Sequence, residues 1–375
     1  MSVLKNFELE NYKIFEEKIS IDFSNIREYK FNEQCIVNQI VSKAILYGKN
    51  AVGKTSLGYA LMDIRGMVLP NELSNKNTLG FLNANASKDY ASFHYVFQLG
   101  NDEISYHYEK YEPNQIKYEK LLINNELFYE FDYELKKGDF KKFQQYEEVK
   151  HLNFEEWDSE TSVIRYILSN AKLKELLILK KLRDFVDGMA FLKPSEEIVK
   201  FKGPKILKDR IIPSIIEEDL IEDFMQFLKD AGLDLQLKAD EKPDWEKALY
   251  FDYKKPLEFI TFASSGTRAL VSLYWVIHSL KQITFLFVDE FDANFHFELA
   301  EAMLNKFKSL EQCQILITTH NTDLMSNKHM RPDCYFLMLP NKITSIADAS
   351  LRELRQGHNL EKLYQSGEFN EMVSD

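Results

Sequence analysis

Eight consecutive residues, Gly48-Lys49-Asn50-Ala51-Val52-Gly53-Lys54-Thr55, match the spacing G-x-x-x-x-G-K-[ST] in full. Glycines at those places let the backbone curl so that successive N–H groups point at one anion. A helix opening near Gly53 would aim the positive end of its dipole at the same anion. In such a loop the lysine, Lys54, reaches the β and γ phosphates of a nucleotide. The hydroxyl of Thr55 is a Mg²⁺ ligand. Ser56 follows on the helix and is grouped with these nucleotide contacts. The chemistry implied is ATP·Mg²⁺ binding.

Three further groups of residues fit that chemistry. Phe285-Leu286-Phe287-Val288-Asp289-Glu290 is an apolar run ending in two carboxylates. A strand there would deliver Asp289 to the sheet edge as a second Mg²⁺ partner. Glu290, one residue on, is placed to polarise an attacking water as general base. Thr318-Thr319-His320 ends another apolar run about 30 residues later, and His320 is the candidate sensor of a γ-phosphate. Phe262-Ala263-Ser264-Ser265-Gly266-Thr267 precedes a helical stretch. In this order of motifs it reads as a loop contacting the γ-phosphate held by a second copy, through the Ser264 hydroxyl and the Gly266 N–H. That arrangement requires a head-to-tail homodimer. The catalytic candidates are therefore Glu290, Lys54 and His320.

The elements that must position these residues are legible in the periodicity. Residues 3–11 and 16–23 alternate as two short strands. An apolar run from Ile40 to Tyr47 leads into the glycine loop, and Thr55 to Met67 has helical spacing. Residues 90–132 predict a β-meander with turns at Gly100-Asn101-Asp102 and Asn124-Asn125. Candidate helices cover 161–189 and 216–231, and strands return over 248–260. A helix (267–280), a buried strand (283–288), a helix (298–309) and a buried strand (314–319) alternate as in a parallel sheet with helices on its faces. The fold expected is α/β: residues 1–135 and 245–375 form the two lobes of one head, with a mainly helical insertion, a lid or short arm, over 136–244. Gln98 and Gln115 are candidates for a glutamine that would couple lid and nucleotide.

This order of motifs resembles the P-loop head of ABC-type ATPases of the SMC/RecF class. It looks more closely like the stand-alone AAA family ATPases related to abortive-infection and phage-defence proteins, such as the ATPase subunits of the PARIS and Septu systems and RloA-like proteins. The opening Leu4-Lys5-Asn6-Phe7 through Asn11-Tyr12-Lys13-Ile14-Phe15 looks like that family's first hairpin. Asp289-Glu290-Phe291-Asp292 with Phe295-His296 matches its acidic strand and the loop after it. The tail from Arg355 to Gly367, with Asn359-Leu360-Glu361-Lys362-Leu363-Tyr364, looks like its usual ending. Ala263-Ser264-Ser265-Gly266-Thr267 departs from the full Leu-Ser-Gly-Gly-Gln of transporters. The resemblance implies an ATPase switch of an antiviral system that controls a separate effector, a nuclease or toxin. The alternative it leaves is an ATPase acting on DNA in repair or chromosome maintenance; a transporter subunit fits least.

Composition sets the remaining bounds. The 375 residues carry a net charge of -12, so nucleic acid is a partner that overall charge does not favour. No apolar run reaches the length of a membrane span, and Met1 to Glu8 lacks the character of a signal peptide. Both point to a cytoplasmic protein with no membrane partner. Cys35, Cys313 and Cys334 lack metal or disulfide spacing and read as core residues.

Overall fold

The computed structural model describes residues 1–70, 80–153, 158–174, 176–194, 200–202, 211–242 and 247–369. Two seven-stranded sheets carry the architecture. The first is antiparallel and runs, edge to edge, Lys137–Asp139, Glu126–Asp132, Gln115–Ile123, Asp102–Glu112, Ala91–Leu99, Ser2–Glu10 and Ile19–Asp22. Its residues alternate as a one-sided sheet demands: in Ala91–Leu99 every second side chain is buried. The turn at Asn124 and Asn125 has positive φ at both residues, 51° and 64°, as the Asn-Asn pair predicts.

The second sheet positions the chemistry. Its order is Lys200–Lys202, Met189–Lys193, Phe285–Val288, Gln314–Thr319, Lys43–Gly48, Tyr335–Leu339, Lys342–Ser345. The five central strands are parallel and each edge strand is antiparallel. Phe285–Val288 and Gln314–Thr319 are buried along their whole length, as central strands covered on both faces should be. Parallel strands end at the same edge. Gly48, Lys193, Val288 and Thr319 therefore finish side by side, where ligands of such sheets bind.

Gln314 stitches the two sheets together. Its side-chain oxygen accepts from the Leu4 N–H at 2.8 Å, and its amide donates to the carbonyls of Leu4 and Val41 at 2.9 and 3.0 Å. The three cysteines are free and buried, as their spacing suggests.

Three expectations change. The helix predicted over 55–67 is two, Lys54–Leu61 and Ile64–Val68. The helix predicted over 161–189 is also two, Val163–Asn170 and Leu177–Asp187, and its last residue opens the strand Met189–Lys193. That strand pairs in parallel with Phe285–Val288. The stretch from 136 to 244 thus carries helices but also lends a strand to the central sheet. A short buried apolar run has no periodicity of its own, so it reads as a continuation of the preceding helix. Lastly, the strands expected over 248–260 are Lys247–Phe251 and Leu257–Glu258, followed by a helical turn at Phe259–Phe262.

Arg65 explains the join between the P-loop region and the extra strand. Its buried guanidinium donates to the carbonyls of Val186, Asp187 and Met189 at 2.9, 2.7 and 2.8 Å. Gly58 does similar work on the helix after the glycine loop. A Cβ there would come within 2.6 Å of Phe287 and 2.7 Å of Phe191, so its absence lets the helix lie against the sheet.

Candidate functional site

The glycine loop leaves the strand Lys43–Gly48 and ends at the helix Lys54–Leu61. Ala51 and Gly53 have positive φ, 63° and 105°, which turns the chain back on itself. A Cβ on Gly48 would meet Val52 Cγ2 at 2.9 Å and the Met338 carbonyl at 3.0 Å, and one on Gly53 would strike Ile14 and Phe15. Glycine is required at both places. Lys49 and Asn50 are exposed at the loop's tip, and Ser56 is half-buried on the first helical turn. Lys54 Nζ donates to the carbonyls of Gly48 and Lys49 at 2.8 and 2.9 Å, so the loop is wrapped around its own ammonium. Burial lowers the Lys54 pKa, against the pull of the Asp289 and Glu290 carboxylates.

Asp289 is fully buried and both of its oxygens are used. Thr55 Oγ1 donates to Oδ2 at 2.6 Å and Thr318 Oγ1 donates to Oδ1 at 2.8 Å. The two residues predicted to hold a metal are thus in direct contact. Glu290 has φ of 49°, a conformation that a residue with a long side chain adopts at a cost. It is held there by its backbone N–H, which donates to Thr318 Oγ1 at 2.8 Å. His320 stands at the exposed end of its strand. Loss of hydration and then the charge of Lys54 lower its pKa, while Glu290, Asp292 and Asp289 pull the other way. His320 therefore belongs to the same electrostatic cluster.

Ser264 is exposed and Gly266 half-buried at the start of the helix Ser265–His278. Ser264 caps the helix Ser265–His278, its hydroxyl accepting from the Thr267 N–H at 3.1 Å. Gly266 packs against the loop after the acidic strand: a Cβ there would approach the Asn294 carbonyl to 2.8 Å. Among the described residues neither is hydrogen-bonded to the glycine loop.

Two contributors escape a sequence reading. Thr318 is one, the hydroxyl shared by Asp289 and Glu290. Lys193 is the other, with Nζ 3.2 Å from Asp289 Oδ2 and 3.3 Å from Glu290 Oε2. The signal that could have found Lys193 is its place at the end of an apolar run, but that run was hidden behind a helix. Neither candidate glutamine reaches this edge. Gln98 donates to the carbonyls of Gly100 and Asp102 in the outer sheet, and Gln115 is exposed at a strand start there.

A family model described as "AAA domain, putative AbiEii toxin, Type IV TA system" matches residues 43–326. That span runs from the P-loop strand past His320. The chain belongs to this AAA family. Among curated proteins no significant match is found. Among solved structures, the SMC head bound to the C-winged helix domain of ScpA aligns with a TM-score of 0.53 at 14% identity, covering 91% of this chain and 97% of that one. Lower scores are given by the SMC head domain from Thermotoga maritima (0.43, 14% identity, 91% and 97% covered) and by the Pyrococcus furiosus SMC head with an extended coiled coil bound to the C-terminal domain of ScpA (0.48, 12% identity, 100% of both chains). The first of these gives the fold of this AAA protein as that of an SMC head domain. Among the described residues no helix is long and apolar enough to cross a membrane.

Proposed function

We propose that this AAA protein binds and hydrolyses ATP as a switch, pairing head to tail around the nucleotide and controlling a separate effector in antiviral defence. The contact that carries the reading is Thr55 Oγ1 on Asp289 Oδ2 at 2.6 Å, with Glu290 next in the chain. The donor set is hydroxyl and carboxylate oxygen beside a phosphate-shaped loop, which suits Mg²⁺. When bound there, Mg²⁺ would supply charge neutralisation for the triphosphate.

The chain's own residues would do the rest. Lys54, already curled into the loop, would exchange its carbonyl partners for phosphate oxygens. Glu290, fixed by its backbone, would orient the attacking water and take up its proton. His320 would sit by the γ-phosphate. Ser264 and Gly266, in this reading, would close the site of a second copy. The exposure of Ser264 in one chain supports that view, as does Phe262, which is 61% exposed two residues before it. Because the γ-phosphate would bridge the copies, hydrolysis would change assembly, and assembly is what an effector could sense. The family's toxin–antitoxin description supports such an effector.

The test is the solution mass of wild type and Glu290→Gln with ATP and Mg²⁺, with nucleotide binding measured in parallel. The variant is expected to bind ATP and accumulate as a stable even-numbered assembly. A variant that binds ATP yet remains a monomer would sink the shared-site reading.

A further inference from the structure

Asp289 is a buried carboxylate, and a buried charge needs compensation. Lys54 does not supply it by contact, because its hydrogen bonds go to the carbonyls of Gly48 and Lys49. Among the described residues, Lys193 provides the one ammonium within ion-pairing distance of Asp289, at 3.2 Å, and it also lies 3.3 Å from Glu290. Its side chain is only 14% exposed, so solvent screens these pairs weakly. The strand that carries it neighbours the acidic strand in parallel, with Leu192 opposite Val288. The Asp289 N–H donates to the Leu192 carbonyl at 2.8 Å. Register, not side-chain flexibility, therefore sets Lys193 beside the two acids.

A lysine head is a compact point charge on a flexible stem, able to leave one partner and keep another. Its nearer contact is the Asp289 oxygen that also accepts from Thr55, which is where a divalent ion would be shared. Two cations on one carboxylate oxygen repel each other. We infer that Lys193 is a tethered substitute for the metal: it neutralises Asp289 and Glu290 when Mg²⁺ is absent and yields Asp289 when Mg²⁺ arrives. It is a positioning residue, acting through the two carboxylates. Without it, two negative charges would face an incoming triphosphate in the metal-free protein. The inference rests on the nucleotide reading above.

The experiment is binding of a fluorescent ATP analogue to the full chain, once in EDTA and once in saturating Mg²⁺, for wild type, Lys193→Met and Lys193→Arg. Ligand-free melting confirms that each variant is folded. Loss of one charge-assisted contact corresponds to about tenfold or more in affinity. Lys193→Met is expected to lose about tenfold in EDTA and to lie within about threefold of wild type in Mg²⁺, with Lys193→Arg close to wild type in both. An equal loss in both conditions would make Lys193 an ordinary phosphate ligand and overturn the inference. No loss in EDTA overturns it too, as does a Lys193→Arg variant that behaves like Lys193→Met. If wild type binds no nucleotide in either condition, the nucleotide reading itself falls, and this inference with it.

Discussion

The Thr318 hydroxyl lies 2.8 Å from the Asp289 carboxylate and donates to it, while the same oxygen accepts the Glu290 N–H at 2.8 Å. One hydroxyl thus fixes the relative placement of the candidate metal-site acid and the candidate general base. It also holds Glu290 in its left-handed backbone conformation.

Thr318→Val keeps the shape and removes the relay. It leaves the Glu290 N–H and one Asp289 oxygen without this partner, at a cost of about 1–3 kcal/mol in stability. Misplacing the proposed base is expected to lower hydrolysis by about 10²-fold, while nucleotide affinity, which the proposed function assigns chiefly to Lys54 and the loop, is expected to change little. Thr318→Ser restores the hydroxyl and should recover most of the rate. Steady-state turnover beside equilibrium binding checks this. A variant that loses binding and turnover together would show that Thr318 supports the whole pocket.

Gly266 and Asn294 give a second handle. A Cβ at 266 would stand 2.8 Å from the Asn294 carbonyl, so Gly266→Ala must push apart the helix start at Ser265 and the loop after Glu290. The glycine loop lies outside that contact. Gly266→Ala is expected to bind ATP as wild type does, yet to fail to gain mass with ATP when combined with Glu290→Gln. Light scattering with a binding titration reads both. Normal assembly of the double variant would show that the loop contact has no part in pairing.

What was legible in the sequence follows from how local each signal is. The loop from Gly48 to Thr55, the acidic strand end and the His320 strand are each written in consecutive residues, and the structure gathers them because parallel strands share an edge. Lys193 and Thr318 carry no local mark. Lys193 matters through the register between Met189–Lys193 and Phe285–Val288, and that pairing spans about a hundred residues of chain. The burial of Met189 to Leu192 also removes the alternation that would have announced a strand. Gln314 was invisible for the same reason, since its partners Leu4 and Val41 lie in distant segments. The turn at Asn124-Asn125 was legible because its positive φ values depend on those two residues alone.

Acid should weaken the fold through its histidines. Burial lowers the pKa of His107, His320 and His329 below the ordinary 6.5. A histidine with a depressed folded pKa contributes stability that is fully present above 6.5. That stability is lost as pH falls below 6.5, because the unfolded chain binds the proton first. Glu119 and Asp292 act in the opposite sense: burial raises both, so what they contribute is lost as pH rises. A single melting curve against pH therefore mixes the two, and a variant separates them. His329 is buried, with Nε2 3.7 Å from Glu301, and it lies outside the candidate site. Between pH 7.5 and 5.5 the fall in Tm is expected to be smaller in His329→Gln than in wild type, with the two curves parallel above pH 7. Thermal melts across that range decide it: an equal or larger fall in the variant would mean that His329 takes up its proton as readily folded as unfolded.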